Sequence, residues 1–212
     1  MTEICQTCGL QVASPRRCPN YWCGREDRGW ELVWAVGEHR GWLRRAIAGL
    51  KYRHDRRWVA PLADLLGAYL LDHAPAFDDV DLIVGVPSNV GRARPADHVG
   101  VLLDAVAPAV ADLWPVAAPD AVLAKRCETR PLAGAPSAVA RRLRAASEVR
   151  ASIVVTDGAA VDGARVLAVD DVLTDGSSLR EVALALRRAG AMAVSGLVLA
   201  RQPVTGTATM PW

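Results

Sequence analysis

Residues 165–179, RVLAVDDVLTDGSSL, decide how the rest of this chain must fold. Val166, Leu167, Ala168 and Val169 form a short apolar run of the kind that makes a strand buried on both faces of a parallel sheet. Two adjacent carboxylates, Asp170 and Asp171, follow, and then a turn carrying hydroxyls and a glycine. From Ser178 the period changes: Leu179, Val182, Ala183, Leu186 and Ala189 recur at three- and four-residue steps, and Gly190 is placed to stop the helix. A second apolar run, Ala193 to Ala200, completes a strand–helix–strand unit, so the expected class is α/β with a parallel sheet flanked by helices.

The chemistry follows from where such a unit points its groups. In open α/β sheets ligands collect at the carboxyl ends of the strands, where Asp170 and Asp171 lie. The turn after them offers backbone N–H groups at a helix start together with the hydroxyls of Thr174, Ser177 and Ser178, and Gly176 permits close approach. That combination cradles a phosphate. Two carboxylates nearby suit the hydroxyls of a ribose or a magnesium ion. The plainer reading is a strand end and a helix cap, which needs neither two carboxylates nor three hydroxyls.

Other phosphate sites fit less well. A nucleotide P-loop requires G-x-x-x-x-G-K followed by Ser or Thr, and a dinucleotide turn requires G-x-G-x-x-G, but this turn has one glycine and no lysine. A phosphoacceptor receiver domain also begins with an apolar strand and an acidic pair. It needs further strands, a later aspartate and a lysine, and after Asp175 the chain has neither Asp nor Lys.

The remaining match is close: apolar strand, two acids, apolar pair, then T-x-G-S-S resembles the fingerprint of the phosphoribosyltransferases. The resemblance implies that Asp170 and Asp171 bind the 2′- and 3′-hydroxyls of phosphoribosyl pyrophosphate (PRPP), and that Thr174, Asp175, Gly176, Ser177 and Ser178 hold its 5′-phosphate. Asp175 departs from the pattern, placing a carboxylate inside the phosphate turn. Either its side chain faces away or like-charge repulsion lowers affinity.

Four of the five cysteines, Cys5, Cys8, Cys18 and Cys23, fall in the first two dozen residues with spacing C-x2-C-x9-C-x4-C. Two short knuckles of thiolates suit a closed, tetrahedral, structural Zn²⁺ site, with a disulfide pair or an iron centre as alternatives. Arg16, Arg17, Tyr21 and Trp22 lie within this module and could touch nucleic acid, although packing on an enzyme explains the same residues. Downstream, Trp30 to Val36 reads as a strand. Trp42, Leu43, Ala46, Ile47 and Leu50 make one helical face, and a second helix is expected from Trp58 to Asp72. The run LKYRHDRR between those helices, with the four-cysteine start and the acidic motif, resembles the ComF-type phosphoribosyltransferases across nearly the whole chain. It implies a type I phosphoribosyltransferase-like fold with a small four-cysteine zinc-binding module at the amino end.

The expected division is residues 1–30 for the zinc module, 31–78 for a helical hood or linker, 79–203 for the phosphoribosyltransferase core and 204–212 for a flexible tail. In the core, Leu82 to Val86 is a strand. By the same resemblance, the loop after it cradles pyrophosphate through Ser88, Asn89, Arg92 and Arg94, although it lacks the longer arginine, glycine and asparagine signature common in the family. His98 could replace a lost contact, but a lone histidine more often starts a helix or sits in the core. Ala96 to Leu113 reads as a helix bent near Pro108. Ala121 to Ala124 and Ser152 to Thr156 read as short strands. Between them KRCETRPLAGAPSAVARRLRA reads as a loop running into a basic helix. Related enzymes close such a loop over the pyrophosphate, which makes Lys125, Arg126 and Arg130 the cationic candidates. Catalysis is then assigned to Asp170, Asp171, Lys125 and Arg126, with cations answering charge on the leaving group and carboxylates answering charge on the sugar. Cys127 has no paired general base in the sequence and is incidental.

Composition narrows partners. The chain has 212 residues, 51% of them apolar, and Lys plus Arg exceed Asp plus Glu by only 25 to 23. Overall charge therefore does not argue for nucleic acid or membrane, although seven basic residues against one Asp between His39 and Trp58, and seven against two acids between Lys125 and Arg150, concentrate positive charge in two segments. Without a signal peptide or a bilayer-length apolar run, the expected location is cytoplasmic. The expected ligands are PRPP with Mg²⁺ and a nitrogen acceptor that no motif names, and a homodimer is the candidate assembly. The alternative is a ComF-type, non-catalytic protein handling single-stranded nucleic acid in DNA uptake.

Overall fold

The structure, a computed structural model, describes residues 3–13, 18–88 and 97–203. The amino end is a two-stranded ribbon, β1 (Glu3–Ile4) paired antiparallel with β2 (Gln11–Val12). Next come β3 (Val33–Glu38), α1 (Gly41–Arg53), α2 (Val59–Asp72), β4 (Leu82–Gly85) and α3 (His98–Val110). The chain continues through β5 (Leu123–Lys125), α4 (Ala138–Arg144), a π-helical turn (Ala145–Val149), α5 (Arg150–Ser152) and β6 (Ile153–Val155), and ends with β7 (Arg165–Leu173), α6 (Ser177–Arg188) and β8 (Ala193–Arg201).

Four strands form one parallel sheet in the order β3-β8-β7-β4, with Val84 opposite Ala168 and Val169 opposite Leu197. The expected strand–helix–strand unit is its centre. β3, inside the 31–78 segment, is the edge strand on β8, while β5 and β6 pair antiparallel apart from the sheet.

Strand alternation sorts the core into two halves. Val166, Ala168, Val194 and Val198 pack with Leu179, Val182 and Leu186 of α6 and with Cys5, Cys8, Leu10 and Trp30 of the amino-terminal module. Leu167, Val169, Leu197 and Leu199 face the other way, onto Ile47 and Leu50 of α1, Leu62 and Leu66 of α2, and Leu102 and Leu103 of α3. The apolar stripe Leu62, Leu66, Leu70 on α2 is fully buried, as its four-residue spacing requires. Trp114 closes this half, its indole N–H donating to Phe77 O at 2.7 Å. Pro108 is accommodated within α3 near its carboxyl end. No helix among the described residues is long and apolar enough to cross a membrane.

Candidate active site

All four strands of the sheet point their carboxyl ends the same way, so the segments leaving them meet around one cavity of about 450 Å³. His39 follows β3, Gln202 follows β8, Ser88 follows β4, and Asp170, Asp171 and Thr174 come from the end of β7 and the turn beyond it; all six line this cavity. The His39 ring and the Gln202 amide oxygen meet at 2.7 Å. One wall is α1, through Arg44, Ile47, Lys51 and Tyr52, and another is the segment Lys125 to Ala133. None of the four clustered cysteines lines it.

Asp171 is held rigidly. Its Oδ1 accepts Val172 N–H at 2.7 Å, while Oδ2 receives Lys51 Nζ at 2.6 Å and His98 Nε2 at 2.7 Å. Burial pushes its carboxyl up, but the His98 hydrogen bond and the Lys51 charge outweigh that and hold it below the ordinary carboxylate range. Asp170, whose Oδ1 accepts Asp171 N–H at 2.8 Å, is pushed up to about 7, by desolvation first and by repulsion from Asp171 second. The surroundings thus favour the anion at Asp171 and the protonated form at Asp170.

The turn sits beside the pair. Gly176 takes φ +88°, and a Cβ there would lie 2.7 Å from the Trp30 ring, so geometry and space both require glycine. Asp175 turns its carboxylate onto the helix start: Oδ1 accepts Ser177 N–H at 3.0 Å, and Arg141 Nη1 approaches Oδ2 at 3.6 Å. It occupies one of the backbone donors that a phosphate would use, with a guanidinium beside it. A smaller pocket of about 60 Å³ adjoins the turn, lined by Thr174 to Ser178 and by Arg141. Ser177 Oγ is buried there without a hydrogen-bond partner, an unmet polar group such as an incoming oxyanion satisfies.

The structure brings Ser88, Lys125, Arg130, Asp170, Asp171, Thr174 and Ser178 to the main cavity and Asp175, Gly176 and Ser177 to the adjoining pocket. Lys125 Nζ donates to Thr129 Oγ1 at 2.8 Å, and burial lowers its pKa. Arg130 Nε is engaged by Glu148 Oε1 at 2.7 Å, and Arg126 is exposed and outside the lining. Asn89, Arg92 and Arg94 lie outside the described residues.

Lys51, His98 and Arg141, the partners of the site's carboxylates, escaped selection from sequence. Lys51 follows Ile47 by one helical turn and so faces inward; the LKYRHD run marked its position without its role. The run then ends α1 with His54 in the left-handed region, φ +52°, and with Asp55 capping the next turn. His98 is both a helix-start residue and an Asp171 partner. Arg141 carried no signal beyond its place in a basic helix.

Away from the cavity, the four cysteine sulfurs lie within 4.8 Å of one another, with Cys5–Cys23 at 3.8 Å and Cys8–Cys18 at 3.7 Å. A tetrahedron with metal–sulfur bonds of about 2.3 Å has edges of about 3.8 Å, so these residues could hold a metal ion such as zinc. In close proximity the thiols cannot all ionise: a hydrogen bond from Cys23 lowers Cys8 to about 4, whereas burial pushes Cys18 up to about 12. A bound cation removes that conflict.

The family model for the phosphoribosyl transferase domain matches residues 121–208, which contain the acidic pair and the turn. No curated protein matches. Among solved structures, the chain is similar to one described as the allosteric regulatory enzyme of purine biosynthesis, at 22% identity and a TM-score of 0.42 over 66% of this chain and 26% of that one. It thus spans about a quarter of that protein. It is also similar to a hypoxanthine phosphoribosyltransferase from Staphylococcus aureus, at 15% identity and a TM-score of 0.38 over 72% of this chain and 68% of that one. By that family model residues 121–208 resemble a phosphoribosyl transferase domain, and the parallel sheet flanked by helices is the expected fold class.

Proposed function

We propose that this protein binds PRPP with Mg²⁺ at the β7 end and transfers the phosphoribosyl group to a nitrogen acceptor. The observation that carries the reading is the convergence of the Asp170–Asp171 pair, the Thr174–Ser178 turn and the unsatisfied Ser177 hydroxyl on adjoining cavities. Asp170 and Asp171 accept the ribose hydroxyls, and the turn with Arg141 takes the 5′-phosphate. The pyrophosphate lies toward Ser88, Lys125 and Arg130. Asn89, Arg92 and Arg94 are assigned there too, as is the exposed Arg126 from the neighbouring loop. In the transfer the bond from C1 to the pyrophosphate oxygen breaks, a C1–N bond forms, and the acceptor nitrogen gives up a proton. Lys125 answers the charge growing on the leaving group, and the carboxylates answer positive character on the sugar. Mg²⁺ would supply neutralisation of the pyrophosphate, with Asp170 and Asp171 as the residues able to hold it.

The acceptor is placed against α1, where Ile47, Ala48 and Tyr52 give an apolar and aromatic wall. The four cysteines hold a structural zinc. Pyrophosphate release, followed while ammonia, purine and pyrimidine bases are offered with PRPP and Mg²⁺, tests transfer. Acceptor-dependent release supports it, and release at the no-acceptor rate across the panel contradicts it.

A second reading, a ComF-type nucleic-acid-handling role, draws on Tyr21. Its half-exposed ring has the guanidiniums of Arg25 and Arg142 over it, 5.1 Å and 4.0 Å from its centroid, an aromatic–cation cluster of the kind that meets single-stranded nucleic acid. Single-strand binding through it would weaken steeply with salt.

A further inference from the structure

We infer that Arg201 is a positioning residue through which the four-cysteine module sets the shape of the phosphate turn, so that metal occupancy and phosphate binding are coupled. This rests on the PRPP reading above for its functional consequence, although the coupling itself is structural. Arg201 is the last residue of β8 and is 4% exposed. Its Nε donates to Cys8 O at 3.1 Å, and Nη2 lies 3.8 Å from Cys8 Sγ. Its Nη1 donates to Leu173 O at 2.8 Å and also to Thr174 O, the two residues that lead from β7 into the turn. One planar cation thus spans from a metal-ligating cysteine to the entrance of the phosphate site. A guanidinium is suited to this because its donors are held in a fixed fork.

Two further contacts put the same module behind the turn. Trp30 packs against Gly176, and Arg180 of α6 donates from Nη2 to Asp27 Oδ2 at 2.8 Å while its guanidinium lies 4.6 Å from the Trp22 ring. The cysteine module therefore buttresses the helix whose amino end is the turn. A buried cation keeps its place only while its acceptors stay put. Releasing the metal frees Cys8, removes one of those acceptors and loosens the grip on Leu173 and Thr174. By linkage, a ligand that orders the turn must tighten the metal.

Hydrogen exchange of the full chain at residues 173–178 tests this, comparing zinc-loaded protein with protein stripped by a chelator under reducing conditions. Stripping should speed exchange there about 10-fold while residues 166–169 of β7 keep their protection. In Arg201→Lys, which keeps the charge but not the fork, exchange at the turn should be fast with or without metal, although overall stability recovers relative to Arg201→Ala. Ribose 5-phosphate should bind about 10-fold more weakly to the stripped wild type. If it binds neither form, the PRPP reading fails while the exchange comparison still decides the coupling. Unchanged protection at 173–178 after stripping overturns the inference. So does loss of protection throughout the chain, β7 included, or a protein that takes up no metal.

Discussion

The ammonium of Lys51 lies 2.6 Å from the carboxylate of Asp171, joining the inward face of α1 to the end of the central strand β7. Asp171 is almost wholly buried and Lys51 only partly, so the pair is made at the cavity wall. Lys51→Met should lower unfolding stability by about 1–3 kcal/mol in urea, because a buried carboxylate loses its cation while water still reaches part of the site. It should also weaken PRPP binding, since the uncompensated negative charge repels the phosphates. An unchanged midpoint would mean that His98 alone suffices for Asp171.

Asp170 and Asp171 give opposite pH dependences. The Asp170 carboxyl is raised, so its contribution to stability is complete below its ordinary value of 3.8 and is lost as pH rises through about 7. Asp171 is lowered, so its contribution is present above 3.8 and is lost only in strong acid. Asp170→Asn should therefore flatten the decline in stability between about pH 4 and pH 7 and leave the acid limb below that in place, as followed by thermal melts from about pH 2 to pH 8. A wild-type melting temperature independent of pH between about pH 4 and pH 7 contradicts the assignment.

Gly176→Ala forces a Cβ into the Trp30 ring at a left-handed backbone position. The expected cost is about 1–3 kcal/mol from overpacking and backbone strain together, with phosphate affinity falling as the turn shifts. Urea melts and ribose 5-phosphate titration of this variant measure the two effects separately.

Much of this was legible in the sequence. β7, α6 and β8 follow directly from apolar period, and the acidic pair and turn from their residue types, because strand, turn and helix chemistry there are all local. The four cysteines converge as their spacing implies. What sequence could not show came from long-range placement. Lys51 reaches Asp171 only because α1 packs across the sheet, and Arg141 reaches Asp175 because α4 folds back over the turn. Asp175 is the instructive departure. Sequence offered repulsion or avoidance, and the structure shows the carboxylate accepting Ser177 N–H, a local turn pattern, with Arg141 alongside, which only the tertiary fold brings there.

Zinc should be present at about one equivalent per chain, four thiolates being a complete tetrahedral set. Cys5→Ser should release it and lower stability by at least about 1 kcal/mol, with the β7–α6 unit still folded. Metal analysis after dialysis, paired with circular dichroism, is the check, and a full equivalent of tightly held zinc in the variant contradicts the four-ligand site.

The most direct test of the central claim is calorimetric titration of the zinc-loaded protein with PRPP, with and without Mg²⁺, alongside the Asp170→Asn, Asp171→Asn double variant. Saturable, Mg²⁺-dependent binding to the wild type, lost in a variant that keeps its fold, is the result predicted. Equal binding by both proteins, or none by the wild type at millimolar PRPP, would contradict it.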